Sequence, residues 1–424
     1  MLLQLIWKTL FLVGLIALSA KRNLSLFLEP RLWKEDGAFF LAKASCSNLW
    51  NTITLRDPES GFLNLIGNIG GYLASTLVPL TEAPYVTTYL SFLIQVIPFL
   101  IILFGRSYIF TTGPKKFFGC LAVLLGPPAT GDLWLNLGGA PAYLGITAVI
   151  ILMEDMGDIS LPRLLFYGFL VGLAGLSGPY TIILWPVFFL RILVENRRSS
   201  FFLFGILTLA FLVQVTSAFS DAQNWGDIVP QGLDLVRRLE LALDRHFLTP
   251  ILTEYNSYRL INYFGLDQPR SWAAGSCFLA LSLIITVTIF ILTNFQFTKQ
   301  QIQLVLSFIL SAFFTTIFAD IQNLQNVNFF TGGVTLLFIL IANIGDEQDW
   351  PREILDISSA VLLITGILLG ASSFFNSPEF ICKIDSCPQW KTEVQQLNSD
   401  KDYQPLSWSF GSESTVWRAQ ICTK

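Results

Sequence analysis

The chain has 424 residues, of which 53% are hydrophobic and only 13% charged, against about 25% charged in an ordinary soluble domain, so a soluble fold is excluded. A net charge of -4 without a basic block excludes a nucleic-acid footprint. The single His, His246, excludes a His-rich metal cluster and would leave a Ser-His-Asp triad resting on one residue, so chemistry must come from carboxylates, cations, amides or a metal held by oxygen.

Apolar runs of spanning length, or shorter where tilted or buried, recur along the chain. They fall at residues 3 to 20, 61 to 78, 85 to 104, 117 to 130, 138 to 153, 163 to 178, 180 to 194, 200 to 219, 273 to 293, 301 to 318, 328 to 344 and 354 to 373. The expectation is an all-α polytopic membrane protein of roughly 11–12 transmembrane helices. Residues 1–374 would form the membrane domain, with long external loops at 21–60 and 219–272, and residues 375–424 an extracytoplasmic C-terminal tail. The first run lacks a small-residue cleavage site and is followed by Lys21 and Arg22, which predicts a retained helix.

Short-loop cations set the orientation. Arg106, Lys115 and Lys116 mark one cytoplasmic loop and Arg191, Arg197 and Arg198 another, with Lys299 and Arg352 on the same side. The first loop, the Asp132 loop, the turn at 177–180 and the tail are then external. An odd number of crossings must separate Asp36 from Arg106. The run at 61–78, with four Gly, Asn64 and Asn68, is polar enough to be a half-membrane or re-entrant helix, which satisfies that count. In the tail, a Cys382–Cys387 bridge, or one of these with Cys422, would staple a module too short to build its own core; unpaired thiols are the alternative. Segments 407–410 and 415–421 read as short strands, and Cys120 and Cys277 as small core residues.

The stretch Arg31-Leu32-Trp33-Lys34-Glu35-Asp36-Gly37-Ala38-Phe39-Phe40 sets two adjacent carboxylates among cations beside an aromatic run, where an amphiphile's headgroup would sit. Alternatively Asp36 caps a short interfacial helix, and Arg31 and Lys34 touch lipid headgroups. Asp132 and Asn136, four apart, would share one side of a helical turn. Ser177-Gly178-Pro179-Tyr180 breaks an apolar stretch, as any tight interhelical connection does. The 219–272 loop offers cations to a phosphate, Arg259 among them, while His246 reads as a surface or interface residue. Gln322 to Asn328 form an amide-rich turn.

Trp33 to Gly37 with Phe39-Phe40, Gly61-Phe62-Leu63-Asn64, Asn136 followed by Tyr143-Leu144, and Leu176 to Tyr180 together resemble bacterial polytopic glycosyltransferases of the GT-C superfamily, with a weaker echo at Cys387-Pro388-Gln389-Trp390. The resemblance implies a sugar donor on polyprenyl phosphate in a bacterial plasma membrane. It also implies an extracytoplasmic glycan, lipid or protein acceptor and a catalytic acidic motif in the first loop, here Asp36 with Glu35. On that scheme Asp36 is the base of an inverting displacement, and Glu35 orients it or shares a hard cation, Mg or Mn. Arg31, Lys34 and Arg259 neutralise the phosphate, and Asn64, Asp132, Asn136 and Tyr180 line the substrate site. A transporter or flippase of lipid-linked glycans would want charges inside helices and inverted repeats, and neither is evident. A polymerase or ligase would leave Glu35-Asp36 without a role.

Overall fold

The structure, a computed structural model, describes residues 2–22, 24–33, 35–56, 61–126, 133–220, 244–263, 298–318, 327–345, 350–375, 389–400, 403 and 405. Among these, regular structure is helical, with isolated bridges and no strand ladder. The helices are α1 (Leu2–Lys21), α2 (Leu24–Leu28), a π-helix (Asp36–Leu41), α3 (Ala42–Ser45), α4 (Leu49–Ile53), α5 (Leu65–Thr76), α6 (Ala83–Phe104), α7 (Gly113–Leu125) and α8 (Ala140–Leu152). They continue as α9 (Leu161–Gly175), α10 (Pro179–Ile182), α11 (Trp185–Glu195), α12 (Arg198–Ser220) and a second π-helix (Asp244–Leu248). The remainder are α13 (Thr249–Tyr263), α14 (Lys299–Phe318), α15 (Val327–Asn343), α16 (Trp350–Phe375) and, in the tail, α17 (Trp390–Ser399). The run at 273–293 and the expected tail strands lie outside the described residues, as do the 322–326 part of the amide-rich turn and the expected Cys382–Cys387 bridge.

Among the described residues, three helices are long and apolar enough to cross a membrane: Leu3–Lys21, Ala83–Phe104 and Arg198–Ala218. The first and third turn most of their surface outward. At the centre stands α8, apolar on all sides and buried along its whole length, as a helix enclosed by other helices must be.

The bundle has two poles. At one, buried Glu154 follows α8 and accepts from the Arg106 amide at 2.9 Å, the Arg163 guanidinium at 2.8 Å and the Tyr167 hydroxyl at 2.8 Å. Arg191 donates to the backbone carbonyls of Ile151 and Glu154, and Arg197 lies 3.6 Å from Asp155. The start of α1 belongs here too, since Lys8 sits over the Phe104 ring. Phe338 near the end of α15 meets Phe110 before α7, and Gln301 at the start of α14 meets Asn343. The basic loops grouped by charge therefore share one end of the molecule.

The other pole gathers the first loop, the starts of α5, α6 and α8, the turn at Ser177 and α17. Tyr85 and Tyr89 of α6 donate to the carbonyls of Leu28 and Phe27 at 3.0 Å, so α6 begins beside the first loop. The intervening α5 has 12 residues, about 18 Å at 1.5 Å per residue, short of the ~30 Å hydrocarbon core. Its start is tied to Ser177, and the chain re-enters α6 at the same pole. Among the described residues between Asp36 and Arg106, α6 is the helix long and apolar enough to cross a membrane.

Candidate active site

The motifs read separately from the sequence converge on α5. Its face of small residues comes from Gly67, Gly70 and Gly71. A methyl group at Gly67 would stand 2.5 Å from the Phe40 ring and one at Gly71 2.5 Å from the Phe40 backbone, and Gly70 faces Leu137. Only glycines let the π-helix and the 133–139 turn approach this closely. The π-helix itself, a form that recurs at functional sites, begins at Asp36.

Asp36 is 0% exposed. Its two carboxylate oxygens accept from the Leu137 amide at 3.1 and 3.3 Å across 101 residues of chain. Burial pushes its carboxyl well above the usual carboxylate range; the Leu137 amide offsets part of this, the neighbouring Glu35 charge adds to it, and the Gly138 amide opposes it. Glu35 is exposed, and its Cβ lies 3.9 Å from where a Cβ on Gly138 would be. One carboxyl is thus inside the turn and the next at its surface.

The turn that Asp36 holds departs from the expected helical one. Leu135 has φ 55°, a left-handed conformation that a branched side chain adopts at a penalty of about 1–2 kcal/mol, so no regular helix leads into Asn136. Asn136 instead turns its Oδ1 back to the Gly139 amide, capping the approach to α8. Leu135 and Trp134 are buried with Leu26 and Trp33, which holds the strained residue in place. Asp132 lies outside the described residues.

Asn64 caps α5, accepting from the Gly67 amide at 3.0 Å, and bridges to Ser177. Ser177 Oγ accepts from the Ile66 amide at 3.1 Å. Gly178, at φ 116°, makes the turn that a residue with a Cβ would resist, and Pro179 starts α10. Tyr180 then packs over Gly145 of α8 beside Thr331. Asn64 and Ser177 meet at the start of α5, Tyr180 packs on α8, and Asp36 and Asn136 meet at the 136–139 turn with Glu35 beside it.

Arg31 takes a different place from the one expected. Its guanidinium is in a buried ion pair with Glu393 of α17, the side chains 3% and 0% exposed, and lies 5.8 Å over the Trp390 ring. Burial lowers its pKa to about 10. A cation so committed positions the loop instead of meeting a phosphate. Leu32 and Leu41, on either side of Asp36, pack with Ala74, Ala83, Trp390 and Val394, and Trp390 Nε1 donates to the Leu80 carbonyl at 3.0 Å. Tyr403 donates to Glu393 at 3.1 Å. Lys34 is outside the described residues. Arg259 is exposed on α13, stacked 5.7 Å over Tyr255, on a helix that packs against α16 and the second π-helix. His246 is fully buried, edge-on to Phe308, not at the surface.

Two residues that support the site have no motif around them. Gln214, buried in α12, donates to the carbonyls of Leu63 and Gly175 at 2.9 and 3.1 Å and accepts from the Leu63 amide at 2.9 Å. Asn68 of α5 donates to the Leu55 carbonyl at 2.7 Å. A single amide in an otherwise apolar run is the signal that would have found Gln214. Among the described residues no three His, Cys, Asp or Glu gather at one point. No family model and no curated protein matches this chain.

Proposed function

We propose that the chain is a polytopic membrane glycosyltransferase that moves a sugar from a polyprenyl-phosphate donor to an acceptor hydroxyl at the extracytoplasmic face, in the manner of the GT-C superfamily it resembles. The observation that carries this reading is the wholly buried Asp36 carboxyl, lodged at the head of a π-helix against the Leu137 amide with Glu35 beside it at the surface. A carboxyl whose proton affinity is raised by burial is a stronger base than one in water. The enclosing turn is strained at Leu135, as turns at working sites often are.

The chemistry needs little else. The acceptor oxygen attacks the anomeric carbon, its proton passes to the carboxylate, and the bond to the phosphate oxygen breaks with its electron pair leaving on the phosphate. The configuration inverts. Phosphate is a good leaving group, so a cation suffices in place of a strong acid. With Arg31 paired to Glu393, that charge falls to Lys34, adjacent in sequence to Glu35, and to Arg259 if the donor reaches α13. A Mg or Mn ion carried by donor phosphate would meet Glu35 first, because the Asp36 oxygens face Leu137.

The test is transfer from a polyprenyl-phosphate sugar in native membranes. Asp36→Asn keeps size and the Leu137 bond and removes the base, with an expected loss of about 10²–10⁴ in rate. Glu35→Gln should lose less. Unchanged transfer by folded Asp36→Asn protein would sink the assignment.

A further inference from the structure

The inward stripe of α17 is Trp390, Glu393, Val394 and Leu397, spaced i, i+3, i+4 and i+7 as in a helix laid on an apolar surface. One member of that stripe is a carboxylate. Glu393 is fully buried and meets the buried Arg31 guanidinium and the Tyr403 hydroxyl. Apolar residues of similar volume often stabilise a fold as well as a buried ion pair does, so stability alone does not account for a charge in this place. We propose that Arg31 and Glu393 are a positioning pair, through which α17 clasps the first loop and fixes the register in which the loop presents Asp36. For its effect on rate, the inference rests on the glycosyltransferase reading.

The path from the pair to Asp36 is short and held on both sides. Arg31 is followed by Leu32, fully buried in the apolar cluster with Trp390 and Val394, and by Trp33, buried with Trp134 and Leu135. The Trp33 carbonyl accepts from the Gly37 amide at 2.9 Å, so Asp36 stands inside a hydrogen-bonded turn that starts two residues after Arg31. Beyond Asp36, Leu41 returns to the same cluster as Leu32. The start of α17 is fastened as well: Gln389 Nε2 donates to Glu29 at 3.3 Å and Trp390 Nε1 to the Leu80 carbonyl, before α6, at 3.0 Å.

Apolar contacts such as those of Leu32 and Leu41 tolerate sliding. A buried ion pair does not, because a displaced guanidinium leaves two desolvated charges without partners. The Asp36 oxygens hold the Leu137 amide at 3.1 and 3.3 Å, so a slip of about 1 Å along the loop would break both bonds and misplace the base.

The test compares full-length wild type with two variants in lipid nanodiscs. Arg31→Met with Glu393→Leu keeps an apolar contact and removes the charge geometry. It should melt close to wild type, yet the amides of Asp36–Ser45 should exchange faster while those of Ala140–Leu152 stay protected, and kcat for transfer should fall about 10²-fold with the donor KM little changed. Tyr403→Phe keeps the ion pair, removes one bond to Glu393, and should lower kcat by less in the same direction. A pair that only stabilises would leave kcat unchanged in any folded variant. A folded double variant with wild-type kcat, or with wild-type exchange across Asp36–Ser45, overturns the proposal; if the double variant does not fold, unchanged kcat and exchange in Tyr403→Phe overturn it. Should wild-type protein transfer no sugar, the transferase reading fails and the exchange measurement alone decides the clasp.

Discussion

Gly71→Ala tests the central packing argument, that α5 is glycine-faced to receive the π-helix. In an exposed helix the substitution would gain about 1 kcal/mol of helix propensity. At Gly71 the new methyl would stand 2.5 Å from both the carbonyl carbon and oxygen of Phe40. That obstacle is backbone inside a buried π-helix, so it cannot rotate away, and overpacking of this kind costs about 1–3 kcal/mol. Taking the upper end and subtracting the propensity gain leaves a net loss of about 2 kcal/mol. Gly14 in α1 is the internal control, because a methyl there meets nothing within 4 Å; Gly14→Ala should be neutral or stabilising by up to about 1 kcal/mol. Both variants can be compared by thermal unfolding in one detergent at one scan rate, since unfolding of such a protein is expected to be kinetically controlled. If the π-helix yields by about 1 Å, the transfer rate expected on the proposed glycosyltransferase reading should also fall, by roughly 10²-fold. A Gly71→Ala protein as stable as Gly14→Ala would refute the packing account.

Three further outcomes follow from the site. The folded Asp36 carboxyl titrates above its unfolded value of about 3.9, so its contribution to stability is complete below that range and is lost as pH rises through the folded pKa. Asp36→Asn should remove this slope, with melting temperatures converging at low pH and the variant gaining relative to wild type as pH rises. Removing one member of the Arg31–Glu393 pair leaves the other charge buried and should destabilise by about 3–5 kcal/mol, while Arg31→Met with Glu393→Leu should recover most of it; single losses below about 1 kcal/mol would class the pair with exposed ones. Cysteines introduced near Arg197 and near Asn64 should label from opposite sides of the membrane, and labelling from the same side would break the two-pole arrangement.

Much of the helical plan was legible because apolar runs are local. The helices α1, α6 and α12 follow the runs at 3 to 20, 85 to 104 and 200 to 219 to within a few residues. The break at Ser177 to Tyr180 was marked by Gly and Pro, which act on their own backbone. The sharing of one pole by the cationic loops was also legible, since each crossing moves the chain from one end to the other and the count needs no packing detail. Even the ambiguity at 61–78 was written in composition, as four glycines and two asparagines make a poor span.

What those glycines face was decided only by tertiary structure. Asp36 meets Leu137 across 101 residues and Arg31 meets Glu393 across 362; pairings over such distances depend on how whole helices pack, which no local period encodes. Sequence chemistry treats Arg31, Lys34, Glu35 and Asp36 as one charged surface. Burial divides them, drawing Asp36 inward to backbone amides, committing Arg31 to a tail carboxylate and leaving Glu35 outside, because desolvated charges must each find a partner. The left-handed Leu135 and the amide of Gln214 have the same origin: neither residue type announces its role, and each acquires one from the elements packed around it.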